Sequence, residues 1–277
     1  MPTFSPEPDV DLYYRDIGSG SPIICVHGGF MSHRVWDPLF ATLPSDHRLI
    51  AADLRGHGRS EAPFGSCTDD ALAADLAALL DHLELDDATY VGWSLGATTG
   101  VTYLGGYDDE HLSKVLLNST GIFAGLTAEA HRRSEDDNAG PGDFLDFDAL
   151  KQRHRLDNPA AMWSFVDGIF TENASDRTRE QFYRIAMGTP LDVVLDVFDV
   201  YATMDYGRLY DYATGIDRSV WCVQGAHDDT ATLEDTRYTA NHVFQEAQAV
   251  TFGDSGHVPF VEEQQRFIDL VRSITEG

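Results

Sequence analysis

The sequence is poor in lysine, in cysteine and in long apolar runs. Two lysines accompany 17 arginines, whereas 46 acidic residues bring the net charge to −27. This shortage of positive charge argues against a nucleic acid or an anionic membrane surface as a partner. No apolar run approaches 18 residues, so no membrane-spanning helix is expected. The three cysteines have no metal-ligand spacing and predict neither a disulfide framework nor a metal site.

No secretory signal is expected, because residues 1–10 contain no basic region and no apolar stretch. We therefore expect a cytoplasmic protein. The hydrophobic fraction of 43% argues against a disordered acidic chain. Aspartate (33) far exceeds glutamate (13), and a surface rich in Asp and poor in Lys is similar to those of proteins from cytoplasm that holds molar salt. Short carboxylates bind water and cations, whereas lysine stems add exposed apolar area.

The first 120 residues alternate apolar strands with helices. Strands are expected at Val10–Asp16, Pro22–Val26, Arg48–Leu54, Ala88–Trp93 and Lys114–Asn118. Helices are expected at Val35–Leu43, Asp69–Leu83 (capped by Thr68) and Leu95–Leu104. This alternation predicts an α/β fold, with a mostly parallel sheet flanked by helices.

The alternation stops at residue 121 and resumes near residue 211. Between these points lie helix-like stretches at Asp146–Leu156, Pro159–Phe170, Arg177–Met187 and Leu191–Thr203, and a loop-like segment at Arg132–Gly142. Strands at Ser219–Gln224 and Ala247–Phe252 and helices at Glu234–Phe244 and Pro259–Ile274 follow. We therefore predict a core domain made of residues 1–120 and 211–277, with a helical insertion of residues 121–210.

The sharpest motif is Gly92-Trp93-Ser94-Leu95-Gly96, at the junction of a predicted strand and a predicted helix. A G-x-S-x-G turn at such a junction exposes the serine hydroxyl in a strained conformation. Ser94 is therefore the candidate nucleophile. The backbone N–H of Leu95, at the N-terminus of the helix, is a candidate donor to an oxyanion.

Two later loops supply the base and the acid that such a serine needs. The first, residues 225–229, reads GAHDD and contains Asp228 and Asp229, and the second, residues 253–259, reads GDSGHVP and contains His257. Both follow predicted parallel strands, whose carboxyl ends meet at one edge of the sheet. The order serine, acid, histidine is the order of the α/β-hydrolases.

The chain resembles the α/β-hydrolase superfamily over essentially its whole length. The matching segments are HGGF (27–30), DLRGHGRS (53–60), GWSLG (92–96), GAHD (225–228) and GHVPFVEE (256–263). Within the superfamily it is similar to the serine enzymes that include small esterases, lactonases and cofactor-free haloperoxidases. The resemblance implies that the insertion is a helical cap and that no cofactor is required.

The resemblance also implies roles for particular residues. The family places its acid three residues after a glycine that ends a strand, which selects Asp228, with Asp229 as the alternative. His257 would be the base. The second oxyanion donor would be the backbone N–H of Gly29, with Phe30 as the alternative.

Other histidines receive structural interpretations. His27 and His57 are expected to hold loops together, and His227, beside the acid, could support it. His82, His111, His131, His154 and His242 are expected on the surface.

The expected substrate is a small acyl compound, namely a carboxylic ester, a thioester or a lactone. Phe30 and Trp93 are candidate substrate contacts because their motifs lie beside Ser94. Trp36 lies near the same loops, and further aromatic residues could line a pocket under the cap: Phe144, Trp163, Phe165, Phe170, Phe182 and Tyr183. The alternatives are a cofactor-free haloperoxidase or perhydrolase, a C–C bond hydrolase, and a non-catalytic ligand receptor. A serine at position 94 disfavours epoxide opening and dehalogenation, for which relatives have aspartate there.

Overall fold

The computed structural model describes residues 2–107, 111–134 and 146–277. Within these residues, eight strands form one sheet in the order β1-β2-β4-β3-β5-β6-β7-β8. The strands are β1 (Thr3–Glu7), β2 (Val10–Gly18), β3 (Ser21–Val26), β4 (His47–Ala52), β5 (Ala88–Trp93), β6 (Leu112–Asn118), β7 (Ser219–Gly225) and β8 (Glu246–Phe252). β1 pairs with β2, and β2 with β4, in antiparallel orientation. The remaining pairs, along the order β4-β3-β5-β6-β7-β8, are parallel. The predicted mostly parallel sheet is confirmed.

Helices flank the sheet and join its strands. Those of the first part of the chain are α1 (Asp37–Phe40), α2 (Asp69–His82) and α3 (Leu95–Gly106). Those between β6 and β7 are α4 (Ile122–Arg133), α5 (Phe147–Leu156), α6 (Asn158–Gly168), α7 (Asp176–Ala186), α8 (Leu191–Ala202) and α9 (Tyr206–Gly215). The last are α10 (Leu233–His242), α11 (Pro259–Glu262) and α12 (Gln264–Glu276). Among the helices of the described ranges, none is long and apolar enough to cross a membrane.

The central strands are continuous apolar runs because both of their faces are covered. Every residue of β5 is buried, as are the last four of β3. Parallel strands with helices on both sides lose the alternation of apolar and polar residues for this reason. The N-terminus of α2 is fixed by Thr68, whose hydroxyl accepts a hydrogen bond from the N–H of Ala71 at 3.2 Å, as predicted.

The helices between β6 and β7 pack in two groups. α4 and α9 contact each other, and they contact α10 and α3 respectively beside the sheet. α5 packs on α6 and α8, and α6 packs on α7. The four helix-like stretches predicted in this region correspond to α5–α8, whereas α4 and α9 were not predicted. Most of the loop-like segment Arg132–Gly142 lies outside the described residues.

Two predicted helices are wrong as single elements. Instead of a helix at Val35–Leu43, the chain forms a 3₁₀ turn at His33–Trp36, the short α1, and a second 3₁₀ turn after Thr42, whose φ of −127° breaks the helical path. The closing helix is interrupted at Glu263, which has φ −118° and ψ 49°. There the Glu263 carboxylate accepts hydrogen bonds from the loop of residues 254–255.

Candidate active site

Ser94 occupies the turn between β5 and α3 with φ 53° and ψ −114°. A positive φ is strained for a residue with a side chain, and such strain persists only where the surroundings impose it. One constraint is Gly96, because a Cβ at this position would collide with the carbonyl group of Val26 on β3. The turn therefore presses α3 against the sheet and leaves Ser94 half-buried at the sheet's carboxyl edge.

His257 and Asp228 meet at the same edge, beyond the ends of β8 and β7. His257 Nδ1 lies 2.9 Å from Asp228 Oδ2. The Asp228 carboxylate also accepts from Gln224 Nε2 at 2.8 Å, from the Thr230 N–H at 2.9 Å and from the Thr230 hydroxyl at 2.8 Å. Asp229 is exposed to solvent. The structure therefore pairs His257 with Asp228.

The electrostatics of this pair favour an ionised acid. Burial alone would raise the pKa of Asp228, but His257 and the donors of Thr230 outweigh it and hold the pKa below its usual value. An ionised Asp228 accepts the Nδ1 proton of His257. The other ring nitrogen, Nε2, is then left to accept a proton from a nucleophile.

The loop that carries His257 is fixed by backbone hydrogen bonds. Trp93 donates its indole N–H to the His257 carbonyl oxygen at 2.8 Å, and the His257 N–H donates to the carbonyl of Ile169 at 2.9 Å. The Gly256 N–H donates to Glu262 Oε2 at 2.7 Å. The side chain of His257, 5% exposed, is thereby held against the residue that precedes Ser94.

The loop after β3 has a histidine contact that separates its two candidate oxyanion donors. The Phe30 N–H donates to His57 Nε2 at 3.2 Å, and His57 Nδ1 lies 2.9 Å from the Arg55 carbonyl, to which it donates. The Phe30 N–H is therefore already engaged, which favours Gly29 as the donor from this loop. Phe30 itself has a φ of 67°, so the chain turns sharply directly after Gly29.

His27, the first residue after β3, is also held by backbone hydrogen bonds to its ring. Its Nε2 accepts from the Leu54 N–H at 3.0 Å, and its Nδ1 donates to the Gly28 carbonyl at 2.7 Å. Burial lowers the pKa of His27 to about 3 and also lowers the pKa of His57. Both rings are thus neutral and hold loops, which is the interpretation that the sequence favoured.

Helix α8 covers the Gly28–Gly29 loop. A Cβ built at Gly29 would lie 2.9 Å from Val197 Cγ1 and 3.6 Å from the hydroxyl oxygen of Tyr201. A Cβ built at Gly28 would lie 3.0 Å from Ser94 Cβ. The Ser94 side chain lies close enough to the Tyr201 hydroxyl to affect the pKa of Tyr201. Tyr201 is a site residue that sequence reasoning missed, although the apolar stripe of α8 contains it.

His154 is a second residue that sequence reasoning missed, because it was assigned to the surface. Its side chain is buried (3% exposed), bonds Asn158 Oδ1 at 2.7 Å, and lies with its ring 6.1 Å from Phe30 and 5.3 Å from Phe198. The prediction of a surface position is wrong because α5 turns this face towards α8 and the loop of Phe30.

The two predicted substrate contacts are both buried beside Ser94. Phe30 packs against Phe165 and Phe198 from the inserted helices, at centroid distances of 5.0 and 5.2 Å. Trp93, 1% exposed, contacts the ring of Phe260. Among the other predicted pocket aromatics, Phe170 and Phe182 pack on each other, Tyr183 packs on the partly exposed Trp163, and Trp36 packs on Phe260. Phe144 lies outside the described residues.

Comparison with known proteins identifies the family. A family model described as the alpha/beta hydrolase fold matches residues 21–264. A non-heme chloroperoxidase from Kitasatospora aureofaciens is 25% identical, covering 93% of this chain and 92% of that protein. A 3-oxoadipate enol-lactonase from Acinetobacter baylyi is 24% identical, covering 96% and 93%.

The fold is also that of a solved enzyme structure. An esterase from Exiguobacterium antarcticum superposes with a TM-score of 0.86 at 22% identity, covering 97% of this chain and 96% of that one. Strand order, the strained serine turn and the family match agree with one another. The chain therefore belongs to the α/β-hydrolase family and is an enzyme of that family.

Proposed function

We propose that this enzyme hydrolyses a small carboxylic ester, thioester or lactone through an acyl-enzyme on Ser94, with His257 as the base and Asp228 as its orienting acid. The observation that carries the proposal is the 2.9 Å contact between His257 and Asp228, on the sheet edge that also holds a serine with φ 53°. Nucleophilic acyl transfer requires an exposed serine, a neutral histidine and an acid that fixes its tautomer.

Acylation begins when Ser94 Oγ attacks the carbonyl carbon of the substrate. His257 Nε2 takes the hydroxyl proton as the C–O bond forms, and ionised Asp228 stabilises the resulting imidazolium. The tetrahedral intermediate then expels the alcohol, thiol or ring oxygen, which receives the proton from His257. The product of this half is the acyl-Ser94 ester.

Deacylation repeats these steps with water as the nucleophile. His257 takes a proton from the water as its oxygen attacks the acyl carbon, and it returns the proton to Ser94 Oγ as the acid departs. In both halves the developing oxyanion accepts hydrogen bonds from the N–H groups of Leu95 and Gly29. The Leu95 N–H is available for this because it is the first of α3 and has no partner within the helix.

The aromatic contacts support a small, partly apolar acyl group. We infer that residues 121–210 form a cap, and that Phe30 is the substrate contact in the loop after β3 because rings from α6 and α8 surround it. Trp93 acts on the substrate less directly, through its bond to the His257 carbonyl. An enol-lactonase is a relative of this chain and an esterase shares its fold, which supports a substrate with an acyl group.

The working solvent proposed for the enzyme is a cytoplasm of high salt. The segment 121–210 holds 16 acidic and 9 basic residues, so the acid excess extends over both the insertion and the rest of the chain. At molar salt the Debye length is about 3 Å, which screens the repulsion among these carboxylates. The net charge of −27 therefore describes the solvent and not the substrate.

The nucleophile is tested by labelling with a fluorophosphonate in molar KCl, with wild type compared with Ser94→Ala. We expect the wild type to be labelled on the peptide that contains Ser94 and the variant to remain unlabelled. Absence of labelling in a folded wild type, or equal labelling of both proteins, would overturn the serine-hydrolase proposal. A panel of p-nitrophenyl esters and of lactones with graded chain lengths then measures the acyl preference.

A perhydrolase activity is the second candidate, because a non-heme chloroperoxidase is a relative of this chain. Here hydrogen peroxide would replace water in attacking the acyl-Ser94 ester, giving a peracid. Adding peroxide to the enzyme and acetate would then produce peracetic acid, and Ser94→Ala would abolish it. If peracid formation is no faster than with the Ser94→Ala variant, this candidate is rejected and the hydrolase proposal stands.

A further inference from the structure

Tyr201 brings a phenol from the inserted helices to the loop of Gly29, whose N–H is a proposed oxyanion donor. It lies on α8, four residues after Val197, so the two side chains share one face of the helix. That face covers Gly29, since a Cβ at Gly29 would lie 2.9 Å from Val197 Cγ1, 3.6 Å from the Tyr201 hydroxyl oxygen and 4.0 Å from Leu95 Cδ2. The Tyr201 hydroxyl therefore adjoins Gly29, whose N–H is one of the two proposed oxyanion donors.

The Ser94 side chain also lies close enough to this hydroxyl to affect the pKa of Tyr201. The Tyr201 ring is stacked on Phe147, with a centroid distance of 6.1 Å and an interplanar angle of 17°, which restricts the ring without using the hydroxyl. A substrate carbonyl placed against Ser94 and Gly29 could accept a hydrogen bond from this hydroxyl with little movement of the ring.

The protonation state of Tyr201 suits a hydrogen-bond donor. Burial raises the pKa of Tyr201 to about 12, even though its contact with Ser94 acts in the opposite direction. The phenol therefore keeps its proton throughout the neutral range. It can donate a hydrogen bond to an anionic oxygen but cannot serve as a base for Ser94.

We propose that Tyr201 is a third oxyanion donor, which hydrogen-bonds the carbonyl oxygen of the substrate together with the N–H groups of Gly29 and Leu95. The phenol proton is shared and not transferred, so the steps of acylation and deacylation keep their proton balance. The bond strengthens as negative charge develops on the oxygen, and its effect belongs to the transition state. This inference rests on the proposed function, because it requires Ser94 to be the nucleophile.

The test compares Tyr201→Phe with Tyr212→Phe, a matched loss of one hydroxyl on α9, where the ring lies beside Gly105 and away from Ser94. With p-nitrophenyl butyrate, we expect Tyr201→Phe to lower kcat by about 10- to 100-fold with KM changed by less than about 3-fold, a loss below the 10²–10³ typical of a main oxyanion donor. For Tyr212→Phe, both kcat and KM should stay within about 2-fold of the wild-type values.

Inhibition by propylboronic acid distinguishes a hydrogen-bond donor from a residue that only packs, because loss of packing alone would not change the inhibition constant in step with kcat/KM. The boronate forms a tetrahedral adduct on the serine, so its inhibition constant for Tyr201→Phe should rise by the same factor by which kcat/KM falls. An unchanged or increased kcat, or a loss confined to KM, would overturn the donor role. Labelling by a fluorophosphonate separates the two proposals: a labelled Ser94 with an unaffected Tyr201→Phe rejects only the donor, whereas an unlabelled wild type rejects both.

Discussion

The loops at the carboxyl edge of the sheet and the helices inserted after β6 meet at Ser94, but different forces hold them there. The side chains of Asp228 and His257 are fixed by short hydrogen bonds with each other, with Gln224 on β7 and with the loop that follows β7. The inserted helices surround Phe30 mainly with aromatic rings. Directional bonds therefore define the proposed catalytic geometry, whereas apolar packing defines the space proposed for the substrate.

The two regions are joined by a few polar contacts that cross between them. Thr189, before α8, donates its hydroxyl to the Phe30 carbonyl at 2.9 Å. The Ile169 carbonyl accepts from His257, and Thr171 donates to Glu262. These contacts end on the backbone of the edge loops at Phe30 and His257, and on the carboxylate of Glu262 at the end of α11. Movement of the inserted helices would therefore also displace the loops of Phe30 and His257.

The largest expected effect tests whether hydrogen bonding at the edge defines the geometry. Asp228→Ala should lower kcat by about 10⁴-fold, because His257 loses the group that fixes its tautomer and stabilises its cation. For Asp229→Ala, at the exposed neighbouring position, kcat should stay within about 2-fold of the wild-type value. Steady-state kinetics on a p-nitrophenyl ester measures both. An equal loss at Asp229 would contradict the pairing of His257 with Asp228.

The pH dependence of stability tests the neutral histidines of the same edge. Burial lowers the pKa of His27 to about 3 and lowers that of His57, whereas the unfolded chain titrates near pH 6.5. Below pH 6.5 the unfolded state therefore binds more protons than the folded state. For each histidine, the unfolding free energy should decrease by about 1.4 kcal/mol for every unit by which the pH is lowered. The contribution of each histidine is complete above pH 6.5 and is lost as the pH falls through its lowered pKa, which for His27 is about 3.

Urea unfolding in molar KCl, at several values from pH 7.5 to pH 5, measures this slope. His57→Asn should reduce the slope, and His242→Asn, at an exposed position, should leave it unchanged. An unfolding free energy that stays constant over this range would show that the two rings accept protons without breaking their backbone contacts.

A smaller effect is expected from the bond between Trp93 and the His257 carbonyl. Trp93→Phe keeps an aromatic ring against Phe260 but removes the indole N–H, which loosens the loop of the base and should lower kcat by about 10-fold. Trp221→Phe, on β7, is the matched control and should change kcat by less than about 2-fold. If both variants behave alike, Trp93 contributes only by packing.

The smallest effect concerns the surface that both regions share. Raising KCl from 0.1 M to 2 M should increase the melting temperature by a few degrees, because screening relieves repulsion among the carboxylates. For a domain of this size, about 1 kcal/mol corresponds to roughly 2–4 °C. Differential scanning calorimetry measures the shift. A melting temperature that stays flat or falls would reject the adaptation to salt.

The sequence predicted the edge loops better than the inserted helices, for a physical reason. Ala88–Trp93 was predicted with the bounds that β5 has, because a strand buried on both faces reads as a continuous apolar run. The loop of Gly28 and Gly29 was recognisable because its backbone must approach Ser94 closely. Such requirements restrict the residue types allowed at a position, so they remain visible in a single sequence.

The inserted helices carry no comparable restriction. α4 and α9 were missed because each contains a glycine, Gly125 and Gly207, which lowers helix propensity. Gly125 is required by packing, since a Cβ there would collide with the ring of Tyr206. Tyr201 and His154 belong to no motif, and their positions depend on how α5 and α8 pack over the sheet edge. Only the three-dimensional arrangement reveals that these two side chains face the site.

The acyl-enzyme itself offers the most direct test of the central claim. Wild type is mixed with p-nitrophenyl butyrate, quenched in acid within the first turnover, and examined by intact-protein and peptide mass spectrometry. The account predicts an initial burst of p-nitrophenol and one butyryl group on the peptide that contains Ser94, both absent from Ser94→Ala. Turnover without a butyryl group on Ser94, or a burst that persists in Ser94→Ala, would contradict it.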